Sequence, residues 1–83
     1  RVACANFENI PRDKAASVEK LIGAVRSAAR QGCDLVIFPE LAIDPWGECS
    51  DCARDHRPCA WHLANAETAP GPSSDAIARV ARE

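Results

Sequence analysis

Two groups of residues in this 83-residue chain have types and spacings that can do chemistry. The first is Glu40, which follows Pro39 directly at the end of the apolar run in "DLVIFPEL", Asp34–Leu41. A carboxylate at a strand tip is rigidly mounted. Enclosure by neighbouring strand and helix residues would raise its pKa toward that of a usable general base. The same acid can instead cap a following helix or pair with a cation, because structural acids are perturbed too. The second group is "WGECSDCARDHRPCAWH", residues 46–62, with His56 at its middle. Cys49-x2-Cys52 followed by Cys59-x2-His62 can present four ligands to a tetrahedral zinc ion. Only six residues separate the two halves, fewer than in common zinc motifs, and Pro58 stiffens that gap. The competing expectation is simple packing, with small thiols seated under Trp46 and Trp61. A Cys49–Cys52 disulfide is disfavoured in a reducing compartment.

The elements that must position these groups are legible in outline. "VACANF" reads as a strand over Val2–Phe7, and "ENIPRD" as a loop with Asp13 as the helix N-cap. In "KAASVEKLIGAVRSAARQG" the apolar residues Ala15, Val18, Leu21, Ile22, Val25, Ala28 and Ala29 recur at helical spacing and form one face. Gly32 stands where a C-terminal cap is expected, after Arg30 in the last turn. Leu35–Phe38 is a continuous apolar run, the pattern of a central strand covered on both faces. Residues 2–39 therefore form a βαβ unit with parallel strands. Residues 42–72 lack periodicity and are broken by prolines and glycines, so they read as a long loop with a helical turn near Ser50–His56. After "PGP" a last helix is expected, capped by Ser73 or Ser74, with Ile77, Val80 and Ala81 on one face. Cys4 and Cys33 read as buried packing residues, and Asn6 and Phe7 can approach the Glu40 site from the first strand. Two strands with so few helices cannot cover both faces of a sheet. The chain thus reads as the first part of a larger α/β domain.

Composition narrows the function classes. Hydrophobic residues make up 47% and charged ones 27%, which is ordinary globular composition. The net charge of −2 is scattered in both signs, leaving no footprint for nucleic acid or an anionic membrane. No leader pattern and no apolar run near the ~20 residues of a membrane span is present. Five cysteines are too sparse for a disulfide scaffold, so a reducing, cytoplasmic setting is expected.

At "DLVIFPEL" the residues carry a resemblance. The stretch resembles the first catalytic motif of the nitrilase superfamily of carbon–nitrogen hydrolases. "VACANF" is similar to that family's first strand, "AARQGCDLVIFPELA" to its helix, glycine turn and second strand, and "AETAPGPSSDAIARVARE" to the segment that follows. The resemblance spans nearly all 83 residues. It implies that residues 1–83 are the N-terminal βαβ portion of a four-layer α-β-β-α sandwich, a single hydrolase domain with loop 42–72 inside it. It further implies a Glu–Lys–Cys triad in which Glu40 is the glutamate. The lysine and nucleophilic cysteine are expected outside this chain, since Lys14 and Lys20 precede the motif and no cysteine here stands in a nucleophile motif. The implied reaction is hydrolysis of a non-peptide carbon–nitrogen bond of a small molecule, an amide or carbamoyl group before a nitrile. No cofactor is implied, and a homo-oligomer is expected of the complete protein. Trp46, His56 and Trp61 become candidate pocket residues, because the family's loop after the glutamate helps wall the pocket. The alternative function is a small zinc-binding interaction module built on Cys49, Cys52, Cys59 and His62.

Overall fold

A computed structural model describes residues 1–44 and 49–83. Two short strands, β1 (Val2–Cys4) and β2 (Leu35–Ile37), flank a long helix α1 (Lys14–Arg30); α2 (Ser50–Asp55), α3 (Ala60–Asn65) and α4 (Pro72–Val80) follow. The strands pair in parallel, with Val2 opposite Leu35, Ala3 opposite Val36 and Cys4 opposite Ile37. The expected βαβ unit is therefore present, with shorter strands than Val2–Phe7 and Leu35–Phe38. Beyond the last paired residues, Phe7 and Phe38 meet edge to face at 5.9 Å.

Helix α1 begins and ends where its sequence says it should. The Asp13 side chain accepts from the Ala16 N–H, which satisfies one free amide of the first turn. At the other end Cys33 N–H bonds Ala28 C=O and Gly32 N–H bonds Ala29 C=O, the paired bonds of a Schellman cap. That cap needs a left-handed residue, and Gly32 supplies it with φ 72°. The buried face carries Ser17, Val18, Leu21 and Ala28. Ser17 is fully buried and holds the preceding loop, accepting from Ile10 N–H and donating to Ile10 C=O.

Helix α4 packs along α1, burying Val80. Its N-cap is Gly71, with Pro72 at the first helical position. A serine cap was expected, but Ser74 instead sits one turn in and accepts from the Gly71 N–H. Glycine is required here by close approach, since a Cβ at residue 71 would lie 2.3 Å from Thr68 O. The Arg26 guanidinium closes the pair of helices with a two-pronged contact to Glu83, at 2.8 and 2.7 Å.

The sheet is covered on one face only by the described residues. Val36 and Phe38 share a cleft with Val25 and Ile77. Val2, Leu35 and Ile37, which alternate to the other side, remain about half exposed. Among the described residues no element lies over the second face, so the two-sided cover expected of β2 is seen here on one side. Cys4 is exposed and Cys33 half-buried, so neither is the buried packing residue its composition suggested. The helical turn expected near Ser50–His56 is α2, and α3 is a second helix in the segment 42–72 that otherwise reads as loop. Among the described residues, no helix is long and apolar enough to cross a membrane.

Candidate functional site

Glu40 follows β2 by three residues, at the carboxyl end of the parallel pair, where α/β sheets gather reactive groups. The turn is tight. Leu41 adopts a left-handed φ of 58°, and its carbonyl accepts from the Asn9 side-chain amide. Among the described residues none encloses Glu40, which is exposed. Among the expected pocket residues, Trp46 lies outside the described residues. His56 is exposed and ends α2 with φ 52°. Trp61 is half-buried on α3, its indole edge-on to the His62 ring at 5.0 Å. Trp61 shares a cleft with Lys14, Val18 and Asn65, and Glu40 is not among the residues lining it.

The cysteine and histidine residues do converge. One ligand atom from each of Cys49, Cys52, Cys59 and His62 lies within 4.8 Å of every other. The spacing explains how. Cys49 is the N-cap of α2 and Cys52 stands three residues on. Cys59 is the N-cap of α3 and His62 stands three residues on. N-cap and third-position side chains are neighbours on the first helical turn. Each Cys-x2 pair is therefore brought together by its own helix. The left-handed His56 turns the chain between the helices, and the six-residue gap proves long enough.

The partners of these atoms are specific. His62 Nδ1 lies 3.1 Å from Cys59 Sγ and 3.3 Å from Cys52 Sγ. His62 Nε2 lies 3.0 Å from Asp44 Oδ1. Cys52 is fully buried, and its sulfur accepts from Cys59 N–H at 3.2 Å. The Arg12 guanidinium donates to Cys49 Sγ at 3.6 Å and to Asp51 at 3.0 Å. A cleft of about 400 Å³, lined by Arg12, Asp44, Cys49, Asp51 and His62 among others, opens beside the cluster.

The electrostatics divide the three thiols. Neither cap residue makes a side-chain capping hydrogen bond. The Cys52 amide, then Arg12, hold Cys49 below the usual thiol range. The His62 amide, then its ring, bring Cys59 down to about 6. Burial pushes Cys52 up to about 11. His62 is raised, first by Cys59 and then by Asp44.

Asp44 and Arg12 were not singled out by sequence reasoning. The signal for Asp44 was chemical: a histidine that binds or bonds through one nitrogen needs an acceptor at the other. An acid shortly after the strand tip was available for that role. Arg12 gave no such signal, because its place beside Cys49 is set by the left-handed turn it makes, φ 55°.

The fold and the strand-tip acid fit one family. The model of the carbon–nitrogen hydrolases matches residues 1–83, the whole chain, and the chain belongs to that family. A protein described as "Nitrilase 2", from an unknown prokaryotic organism, is 34% identical over 74 residues, covering 86% of this chain and 24% of that protein. The chain thus spans about a quarter of the length of that relative. No solved structure matches.

Proposed function

We propose that these residues belong to an enzyme that hydrolyses a non-peptide carbon–nitrogen bond of a small molecule, an amide or carbamoyl group in preference to a nitrile. Glu40 is the general base of a Glu–Lys–Cys triad whose lysine and cysteine come from the remainder of the protein. The observation that carries this reading is Glu40 itself, at the carboxyl end of β2 in a chain matched throughout by the family model. Glu40 takes a proton from the cysteine thiol, whose ordinary pKa of about 8.5 leaves it largely protonated at neutral pH. The thiolate attacks the amide carbon, and the lysine stabilises the negative charge that develops on the carbonyl oxygen. The amine leaves with a proton, and a thioester remains on the cysteine. Glu40 then activates the water that hydrolyses it.

Two features of this chain support that larger setting. Glu40 is exposed, and the apolar face carrying Val2, Leu35 and Ile37 is uncovered. A sandwich whose further layers cover that face would also close around the carboxylate. The test is Glu40→Gln in the full-length protein, assayed on a panel of amides, N-carbamoyl compounds and nitriles. Turnover of the best substrate should fall about 10²–10⁴-fold, the range for loss of a positioned acid or base. Turnover within twofold of the unsubstituted enzyme removes Glu40 from the mechanism.

A further inference from the structure

We propose that Cys49, Cys52, Cys59 and His62 bind one structural zinc(II) ion per chain, which holds the segment after β2 in its folded form. Three independent features of the geometry carry this inference. The first is convergence. In a tetrahedral site with Zn–S near 2.3 Å, neighbouring ligand atoms stand about 3.5–3.8 Å apart. The four atoms here already lie within 4.8 Å of one another, and two of the nitrogen–sulfur separations are 3.1 and 3.3 Å.

The second is the orientation of His62, which is nine-tenths buried. A carboxylate only accepts, so the ring nitrogen facing Asp44 carries a proton. In a neutral ring the other nitrogen then presents a lone pair, and it is aimed between two sulfurs. Zinc-bound histidines are oriented in this way, with the outer N–H held by a carboxylate. The third is charge. Three thiolates around a divalent ion leave one net negative charge, and the Arg12 guanidinium lies against Cys49 Sγ to offset it.

A nucleophilic Cys59–His62–Asp44 arrangement is the chemical rival. It accounts for one sulfur on the imidazole but gives no reason for Cys52 and Cys49 to face the same point, buried and half-buried. Four protein ligands leave no open position, so the ion is structural and not catalytic. Binding displaces the thiol protons to solvent with no change of oxidation state. The ion would fix Asp44, four residues past Glu40, and so steady the turn that presents the carboxylate. The site itself does not depend on the hydrolase reading.

The test is the metal content of the full-length protein, purified without chelator or nickel and measured by elemental mass spectrometry. One zinc per chain is expected, lost in both Cys52→Ser and Cys59→Ser. Because those variants can fail to fold, cobalt(II) exchanged into the unsubstituted protein gives a second readout. It should show the visible bands of a tetrahedral, thiolate-ligated ion. Four results each overturn the proposal: zinc-free protein with all three thiols open to alkylation, zinc retained in both serine variants, a native Cys49–Cys52 disulfide, or an octahedral cobalt spectrum. Loss of turnover in Glu40→Gln with zinc retained separates the two sites.

Discussion

The strand tip and the cysteine–histidine cluster stand nine residues apart in sequence, Glu40 to Cys49, yet they draw on their surroundings in opposite ways. Glu40 is exposed, and what this chain supplies is a mount: a parallel strand pair, a left-handed turn at Leu41 and a bond from Asn9. The cluster is complete within the chain. Its ligand atoms, its carboxylate partner and its offsetting cation all come from residues 12–62. A local helix turn needs only a few consecutive residues to bring two side chains together, so Cys-x2-Cys and Cys-x2-His pairs form from sequence-local geometry. A catalytic pocket at a sheet edge is assembled from distant segments, and its enclosure depends on layers outside the described residues.

The largest effect is expected at the metal. If zinc closes the cluster, chelation should melt α2 and α3 while leaving the β1–α1–β2 unit in place. Structural zinc in small modules contributes ~10–16 kcal/mol. Amide exchange across 49–65 should accordingly accelerate by on the order of 10³-fold or more once the ion is removed, read peptide by peptide by mass spectrometry. Unchanged protection across 49–65 after chelation would show that the two helices hold themselves.

Glu40→Gln sharpens the other side. Since the carboxylate makes no contribution to packing in this chain, the variant should keep its fold and its thermal midpoint. It should nevertheless lose about 10²–10⁴-fold in turnover. A large fall in stability with little loss of rate would reverse the roles assigned to the two regions. A smaller effect is expected where the segment after the cluster meets α4. Gly71→Ala forces a Cβ against Thr68 O and should destabilise the start of α4 by about 1–3 kcal/mol. Equilibrium urea unfolding checks this, and a neutral result would mean that the 68–71 turn can relax.

Much of the first region was legible because each signal is local. Asp13, the helical spacing in α1 and the Gly32 cap act within a few residues, and all three stand where the sequence implied. The parallel pairing followed from the βαβ order. The apolar run Leu35–Phe38 is matched by burial on one side only. Hydrophobicity records the environment of the whole folded protein, whereas burial here reflects only the layers described, so one face lies open. In the second region the ligand spacing was visible, but α3 was not, because "AWHLAN" is too short to show a period. The position of Asp44 against His62 was hidden for a different reason: it is a contact across 18 residues of chain. Pro58 and the short gap argued against a metal cluster. They weigh less once the left-handed His56 is seen to turn the chain.

The smallest expected effect is at the network that ties the two regions together. Lys14, at the start of α1, donates to Asn65 C=O at the end of α3 and meets Glu67 at 2.8 Å. Glu67 in turn accepts from the Ser73 N–H and hydroxyl, each at 2.8 Å, at the start of α4. The Lys14 ammonium, then these two Ser73 bonds, hold the Glu67 carboxyl down at about 2 from an ordinary 4.5. A depressed folded-state pKa stabilises wherever the carboxylate is charged in both states. The contribution is therefore complete above pH 4.5 and is lost as pH falls from about 4.5 toward about 2. Glu67→Gln should flatten stability against pH in that window and lower it slightly above the window. Urea midpoints measured from pH 2 to pH 7 test this. Glu83, lowered by Arg26, bends the curve with the same sign, but that pair is half exposed and salt screens it. The Glu67 component is the part that survives at high salt. If the variant and the unsubstituted protein keep the same acid limb there, the bridge between α1, α3 and α4 is ornamental.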